Sequence, residues 1–197
     1  MPRVPRALIA LTALAAALRL PTLGAQSLWL DEVLTGNLAR GSLGDLFHVV
    51  AQQEANPPLF YLAEWVWTRI AGTGELALRL PSALCGIVLV PVAYAIGRRL
   101  GSARAGTTLA ALVAVHPLLV YYSQEARGYS AVALACAVGF LCFLDDRPLG
   151  WAIASAVALG CHYFAIFPVA IEAAILLWRG CRAAVAAVVL VLSLIHI

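Results

Sequence analysis

Lysine is missing from this chain altogether, and charged residues of any kind make up only 12% of its 197 positions. The 13 basic residues are therefore all arginine, and they fall between apolar runs instead of lining one face. That distribution lacks the continuous basic surface that nucleic acid requires, so no nucleic-acid partner is expected. Hydrophobic residues reach 63% and the mean hydropathy is +0.92, values that exclude an ordinary soluble domain. No Walker motif, GxGxxG, HExxH or GxSxG occurs, so nucleotide binding, zinc proteolysis and serine hydrolysis have no support. The five cysteines (Cys85, Cys136, Cys142, Cys161, Cys181) lie in or beside apolar runs without CxxC spacing and read as small core hydrophobes.

What remains is an all-α polytopic membrane protein in contact with membrane lipids. The first apolar stretch, Ala7 to Leu18, follows Arg3 and Arg6. It reads as a retained signal anchor, with Arg19 snorkelling at its far end, because Leu23-Gly24-Ala25 is a poor cleavage site. Either way the N-terminus stays cytoplasmic and the following loop lies outside. In that loop Leu43, Leu46, Phe47 and Val50 recur at helical spacing behind Ser42 and Asp45, predicting an amphipathic juxtamembrane helix that starts with a capping box and ends before Asn56-Pro57-Pro58. Leu59 to Gly72 carries Glu64 and Arg69 and would be only about 21 Å long as a helix, against roughly 30 Å of hydrocarbon, so it reads as interfacial or re-entrant.

Further spans are predicted at Leu80 to Gly97, with Pro91 a candidate kink, at Ala105 to about Tyr122, with His116-Pro117 a second, and at Tyr129 to Leu144. If the interfacial segment does not cross, Arg98, Arg99, Arg104 and Arg147 all face the cytoplasm, as the positive-inside rule prefers. Beyond Leu149, one long helix or a hairpin turning near Gly160-Cys161-His162 would fit, and the hairpin returns Arg179 and Arg182 to the cytoplasm. Residues 1–197 thus form a single transmembrane domain: a first helix in 1–23, an outer loop in 24–79 and further spans in 80–191. The stretch 192–197 resembles an adapter or vector tail, and the chain reads as the N-terminal part of a longer module that would not turn over by itself.

Chemistry is carried by few residues. Asp31 and Glu32 stand just beyond the first apolar stretch, where carboxylates are expensive unless they have a function. Asp31 is placed to take a proton from a hydroxyl, and Trp29 suits an interfacial anchor. The predicted topology brings the loop 122–128 to the same face. There Arg127 offers planar donors suited to a phosphate, and Gln124 or Glu125 could orient it. His162, beside Tyr163, could touch the same face. Glu172 is either a site residue or the partner of an uncharged polar neighbour, and the two readings stay open.

The order of these motifs resembles the membrane glycosyltransferases of the GT-C class, specifically the family 39 group of protein-mannosyltransferase-like and aminoarabinose-transferase-like enzymes. The resemblance is carried from about residue 15 to 180 by Arg19, Ser27-Leu28-Trp29-Leu30-Asp31-Glu32, Asn56-Pro57-Pro58-Leu59-Phe60-Tyr61, Arg79-Leu80-Pro81-Ser82-Ala83-Leu84, Gly97-Arg98-Arg99-Leu100-Gly101, the run from Tyr121 to Tyr129, and His162-Tyr163-Phe164. It implies a GT-C transmembrane helix bundle at the cell membrane. It also implies a polyprenyl-phosphate-linked sugar as donor and inverting transfer of a mannose-like or other sugar to an acceptor hydroxyl at the outer face. The acceptor, whether protein, lipid or polysaccharide, stays open. By the same resemblance Asp31 is the general base, with Glu32 beside it as the second catalytic residue. Asn56, Gln124, Glu125, Arg127, Tyr129 and His162 are the substrate-binding candidates. Asn56 stands where family members often carry His, which bears on a direct ligand role there. No cofactor is expected. Asp31, Glu32 and Glu125 could offer oxygen ligands to a divalent ion, but no metal is predicted. A transporter or flippase of lipid-linked substrates, an oligosaccharyltransferase-like GT-C enzyme and a catalytically dead homologue are the competing readings.

Overall fold

A computed structural model describes residues 5–54, 56–181, 185–186 and 188–189. The expected tail at 192–197 lies outside them. Every regular element among the described residues is helical: α1 (Arg6–Arg19), α2 (Leu30–Arg40), α3 (Leu43–Gln53), α4 (Leu59–Ala71), α5 (Glu75–Leu100), α6 (Ala103–Val115), α7 (Pro117–Tyr122), α8 (Tyr129–Leu144), α9 (Pro148–Cys161) and α10 (Ile166–Trp178). A single 3-10 turn, Tyr163–Ala165, precedes α10. Among these only α5 is by itself long and apolar enough to cross a membrane.

The central strut is α5, which packs against α1, α6 and α8, with α9 laid on α8. Its start at Glu75 lies before the predicted Leu80, because Gly74 caps it and Pro81 falls nearly two turns inside, where the helix continues through. The outer loop is correspondingly shorter. Glycines let α5 and α6 cross closely: a Cβ on Gly97 would lie 2.7 Å from the Gly106 Cα. The predicted span from Ala105 to Tyr122 is two helices, because His116 adopts an extended conformation (ψ 121°) before Pro117.

That break explains Arg19. Pro117 has no N–H to give the Val113 carbonyl, and the chain's turn also frees that of Ala114. Arg19 donates to both, Nη2 to Val113 at 3.3 Å and Nη1 to Ala114 at 2.9 Å. Its side chain is therefore buried, not snorkelled to an interface as its position at the end of the apolar stretch suggests.

The hairpin at Gly160-Cys161-His162 is present. His162 leaves the helix (φ −159°, ψ 132°), and α10 returns so that the Glu172 Oε2 accepts a 2.6 Å bond from Trp151 Nε1 at the start of α9. This resolves the open reading of Glu172 in favour of the uncharged partner. The tyrosine-headed helix α8 matches its predicted bounds.

Helices α2, α3 and α4 form a cap on one end of the bundle. Ser42 and Asp45 make the expected capping box of α3. Helix α2 was not expected: its polar, weakly periodic sequence gives little signal, and tertiary partners hold it. Arg69 of α4 donates to the Ala39 and Gly41 carbonyls at 2.8 and 3.0 Å, and Trp65 Nε1 to that of Gly41 at 2.9 Å, which satisfies the C-terminal end of α2. Helix α4 starts with Leu59 over Gly160 and Phe60 over Gly128, and ends with Trp67 Nε1 bonded to the Ala77 carbonyl. Both of its ends thus sit at one end of the bundle. At the opposite end, Arg99 pairs with Asp145 (2.6 Å) and Arg179 with Asp146 (3.3 Å).

Candidate functional site

Trp29 caps α2, so Asp31 and Glu32 occupy its first turn, where the helix dipole favours negative charge. The two carboxylates then part company. Glu32 is fully buried, and Arg79 Nε and Nη2 clamp it at 2.8 and 2.6 Å. Its Oε1 also accepts from the Ala126 amide at 2.8 Å and its Oε2 from the Trp29 amide at 3.3 Å. Burial alone would raise this carboxyl, but the Arg79 fork and the two amides hold it below the usual carboxylate range. Arg79 in turn donates to the carbonyls of Leu23, Gln26 and Ser27. This pair joins α2, α5, the strand of loop before α2, and the turn 123–128. Both Glu32 oxygens are thus hydrogen-bonded within the fold, at the residue expected from the sequence to be the second catalytic carboxylate. Asp31, half-buried, makes no side-chain hydrogen bond or ion pair with the described residues.

The turn 123–128 is fastened from several sides. Ser82 Oγ donates to the Arg127 carbonyl at 3.0 Å, and Gly86 lets Ser123 approach so closely that a Cβ there would lie 2.6 Å from the Ser123 Cβ. Gln124 Nε2 donates to the Leu18 and Arg19 carbonyls and to Thr22 Oγ1 at 3.0, 3.3 and 2.7 Å, tying the turn to the end of α1. Gln124 and Glu125 do not orient Arg127. That work falls to Glu54 and Tyr61: Arg127 Nη1 donates to Glu54 Oε2 at 2.9 Å and to the Tyr61 hydroxyl at 3.0 Å, and Tyr61 bonds Glu54 as well. Among the described residues the Arg127 hydrogen bonds use Nη1, which leaves the rest of its planar fork uncommitted to them.

Around this cation stand Asn56, whose Oδ1 is buried without a partner among the described residues, then Tyr129 and His162. The Tyr129 ring lies between Tyr122 (4.7 Å) and His162 (5.6 Å). His162 Nδ1 accepts from the Phe164 amide at 3.2 Å, and burial with the nearby Arg127 charge lowers the imidazole's pKa. The neutral ring therefore carries its proton on Nε2, as a donor. The structure thus brings every predicted residue to one end of the bundle, with Glu125 and Arg127 on either side of the Ala126 amide that Glu32 holds.

Sequence reasoning gave no role to Glu54, Tyr61 or Arg79. Arg79 and Tyr61 lie in quoted motifs, but Glu54 had no signal at all, since its meaning comes from a partner 73 positions away.

Glu64 of α4 is a buried carboxyl without hydrogen bonds among the described residues: it is 1% exposed and neither oxygen has a partner there. Burial pushes it up to about 8, so it is protonated at neutral pH. In the unfolded chain it would ionise near 4.5, so between about 4.5 and about 8 the folded state holds the extra proton. Stability is therefore expected to fall as pH rises through that window, at up to ~1.4 kcal/mol per unit. Thermal melting in detergent checks this: Glu64→Gln should flatten the slope, and a wild-type melting temperature that rises across the window would refute it.

In comparisons with known proteins, the family described as Dolichyl-phosphate-mannose-protein mannosyltransferase matches residues 55–197, more than half of the chain. No curated protein matches. The matched region contains α4 to α10, and with them Arg79, Glu125, Arg127 and His162, while Asp31 and Glu32 precede it. The chain belongs to this mannosyltransferase family, whose members are glycosyltransferases of the GT-C type.

Proposed function

We propose that this protein transfers a sugar from a polyprenyl-phosphate donor to an acceptor hydroxyl at the outer face of the cell membrane, with inversion. The observation that carries the reading is the division of labour at Asp31 and Glu32: the Glu32 clamp fixes α2 to the turn that bears Arg127, and its neighbour Asp31 is left with an uncommitted carboxylate. Asp31 accepts the proton of the acceptor hydroxyl as its oxygen attacks the anomeric carbon. The bond from that carbon to the phosphate oxygen breaks, and the phosphate leaves with the electron pair. Arg127, aided by the Nε2 proton of His162, offsets the charge that gathers on the leaving phosphate. A lipid phosphate is already a good leaving group, so positioning and charge stabilisation carry most of the rate.

The placement in the membrane rests on charge and length. On α5, Arg79 and Arg99 are separated by about 30 Å, the thickness of the hydrocarbon layer. Arg98, Arg99, Arg104, Arg147 and Arg179 gather away from Asp31, which favours a cytoplasmic side there and α4 lying on the outer surface without crossing.

Membranes carrying the full gene product, supplied with labelled polyprenyl-phosphate sugar or with nucleotide sugar, test the reading. Transfer from the lipid donor alone, with inverted anomeric configuration in the product, is expected. Transfer from the nucleotide sugar, or retained configuration, would overturn it.

A further inference from the structure

At the end of the bundle opposite Asp31, a cavity of about 410 Å³ opens between the last turns of α5 and α8. Tyr94, Ala95 and Leu141 line its inner part, and Arg98, Arg99 and Asp145 stand one helical turn further out. We propose that this cavity seats an anionic phospholipid, its phosphate held between the Arg98 and Arg99 guanidinium groups and the first carbons of its chains resting on Tyr94 and Leu141. The site is independent of the transferase reading. Arg99 lies about 30 Å along α5 from Arg79, so a phosphate bound here is not that of a sugar donor beside Arg127.

The donors at the rim are free. Arg99 Nε donates to Asp145 Oδ1 at 2.6 Å, which fixes the guanidinium plane and leaves both Nη groups without a hydrogen bond to the described residues. Arg98 makes no hydrogen bond or ion pair with them. Arginines in the last turn of a helix often bond its free carbonyls, and among the described residues neither of these does so. The rim is also held in place. The Arg98 guanidinium carbon lies 5.9 Å from the centre of the Tyr94 ring. Both side chains pack on Gly106 of α6, where a Cβ would stand 3.1 Å from Arg98 Cγ and 3.1 Å from Tyr94 Cδ2. An arginine whose stem is already packed loses less conformational entropy when it grips a ligand. The charge favours an anion, since two guanidinium groups face one carboxylate, with Arg104 in the first turn of α6 and Arg147 at the start of α9 adding to the field. Planar guanidinium forks suit phosphate oxygens. The order of groups with depth selects a lipid over a free phosphate: a charged rim above an aromatic and aliphatic floor matches a headgroup in water whose chains enter hydrocarbon.

The full gene product is reconstituted in nanodiscs of mixed phosphatidylcholine and phosphatidylglycerol, and native mass spectrometry identifies the lipids it retains. Wild type is expected to retain phosphatidylglycerol in preference, and Arg98→Gln combined with Arg99→Gln to weaken that preference about tenfold or more. Arg98→Gln alone breaks no ion pair, so it keeps the test open if the double variant folds poorly, and it should show a smaller loss in the same direction. Arg104→Gln removes a charge from the same end but outside the cavity, and should leave the preference unchanged. Glycerol phosphate, the soluble headgroup, should not displace the lipid. A wild type without the preference, or a preference that the Arg98 and Arg99 changes leave intact, would overturn the proposal. So would an equal loss in Arg104→Gln, which would show diffuse attraction to a basic surface. Displacement by glycerol phosphate would assign the cavity to a soluble phosphate ester and overturn the lipid.

Discussion

Asp31→Asn is expected to lower the rate of sugar transfer by about 10²- to 10⁴-fold, the range for removing a general base, while leaving the protein in the membrane at its normal level. The structural reason for expecting normal abundance is that the Asp31 side chain makes no hydrogen bond or ion pair with the described residues, whereas its backbone carbonyl accepts from Thr35 Oγ1 at 3.3 Å. An amide has the same shape and remains compatible with the first turn of α2, but it cannot take a proton. The loss should therefore appear in kcat, with little change in donor KM. A general fall in both abundance and activity would mean that Asp31 belongs to the scaffold.

The opposite pattern is expected one residue later. Glu32→Gln or Arg79→Met alone removes one half of a buried, bidentate ion pair and leaves the other half buried without its counter-charge, at a cost of about 3–5 kcal/mol. That is a large part of the stability of an ordinary domain, so these variants should be degraded or fail to insert. Changing both together should be milder than the sum of the two, since no orphan charge remains. The pH dependence carries a definite sign. Glu32 is held below its ordinary pKa in the fold, so its contribution is present above that ordinary value and is lost as pH falls through the lowered one. Acid melting of the wild type should show this loss on the acid side of the ordinary carboxylate value, where the Glu64 window ends. A double-mutant cycle on melting temperature in detergent measures both effects.

How far the sequence alone reached depends on the kind of signal. Local signals held: the Ser42–Asp45 capping box, the stop at Pro57-Pro58, the bounds of α8 and the hairpin at His162 all rest on residues within a turn of one another. Signals that need a distant partner did not. Helix α2 is polar and is stabilised by Arg69 and Trp65 of α4, so periodicity could not find it. Arg19 looks like an interfacial arginine until Pro117 leaves the Val113 carbonyl unsatisfied almost a hundred positions away. The acidic pair was visible as a pair, but only the Arg79 clamp distinguishes its members. Likewise Arg127 was legible as the cation of its turn, whereas its orientation by Glu54 and Tyr61 was not. Charges seen in sequence mark a region, and the hydrogen bonds they have already spent decide which of them can still act.

The most direct test of the account sets Asp31→Asn beside Glu32→Gln and wild type, in membranes carrying the full gene product, and measures both the amount of inserted protein and the transfer of label from a polyprenyl-phosphate sugar. The account predicts Asp31→Asn at wild-type abundance without transfer, and Glu32→Gln depleted from the membrane. An Asp31→Asn protein that transfers sugar at the wild-type rate would contradict it.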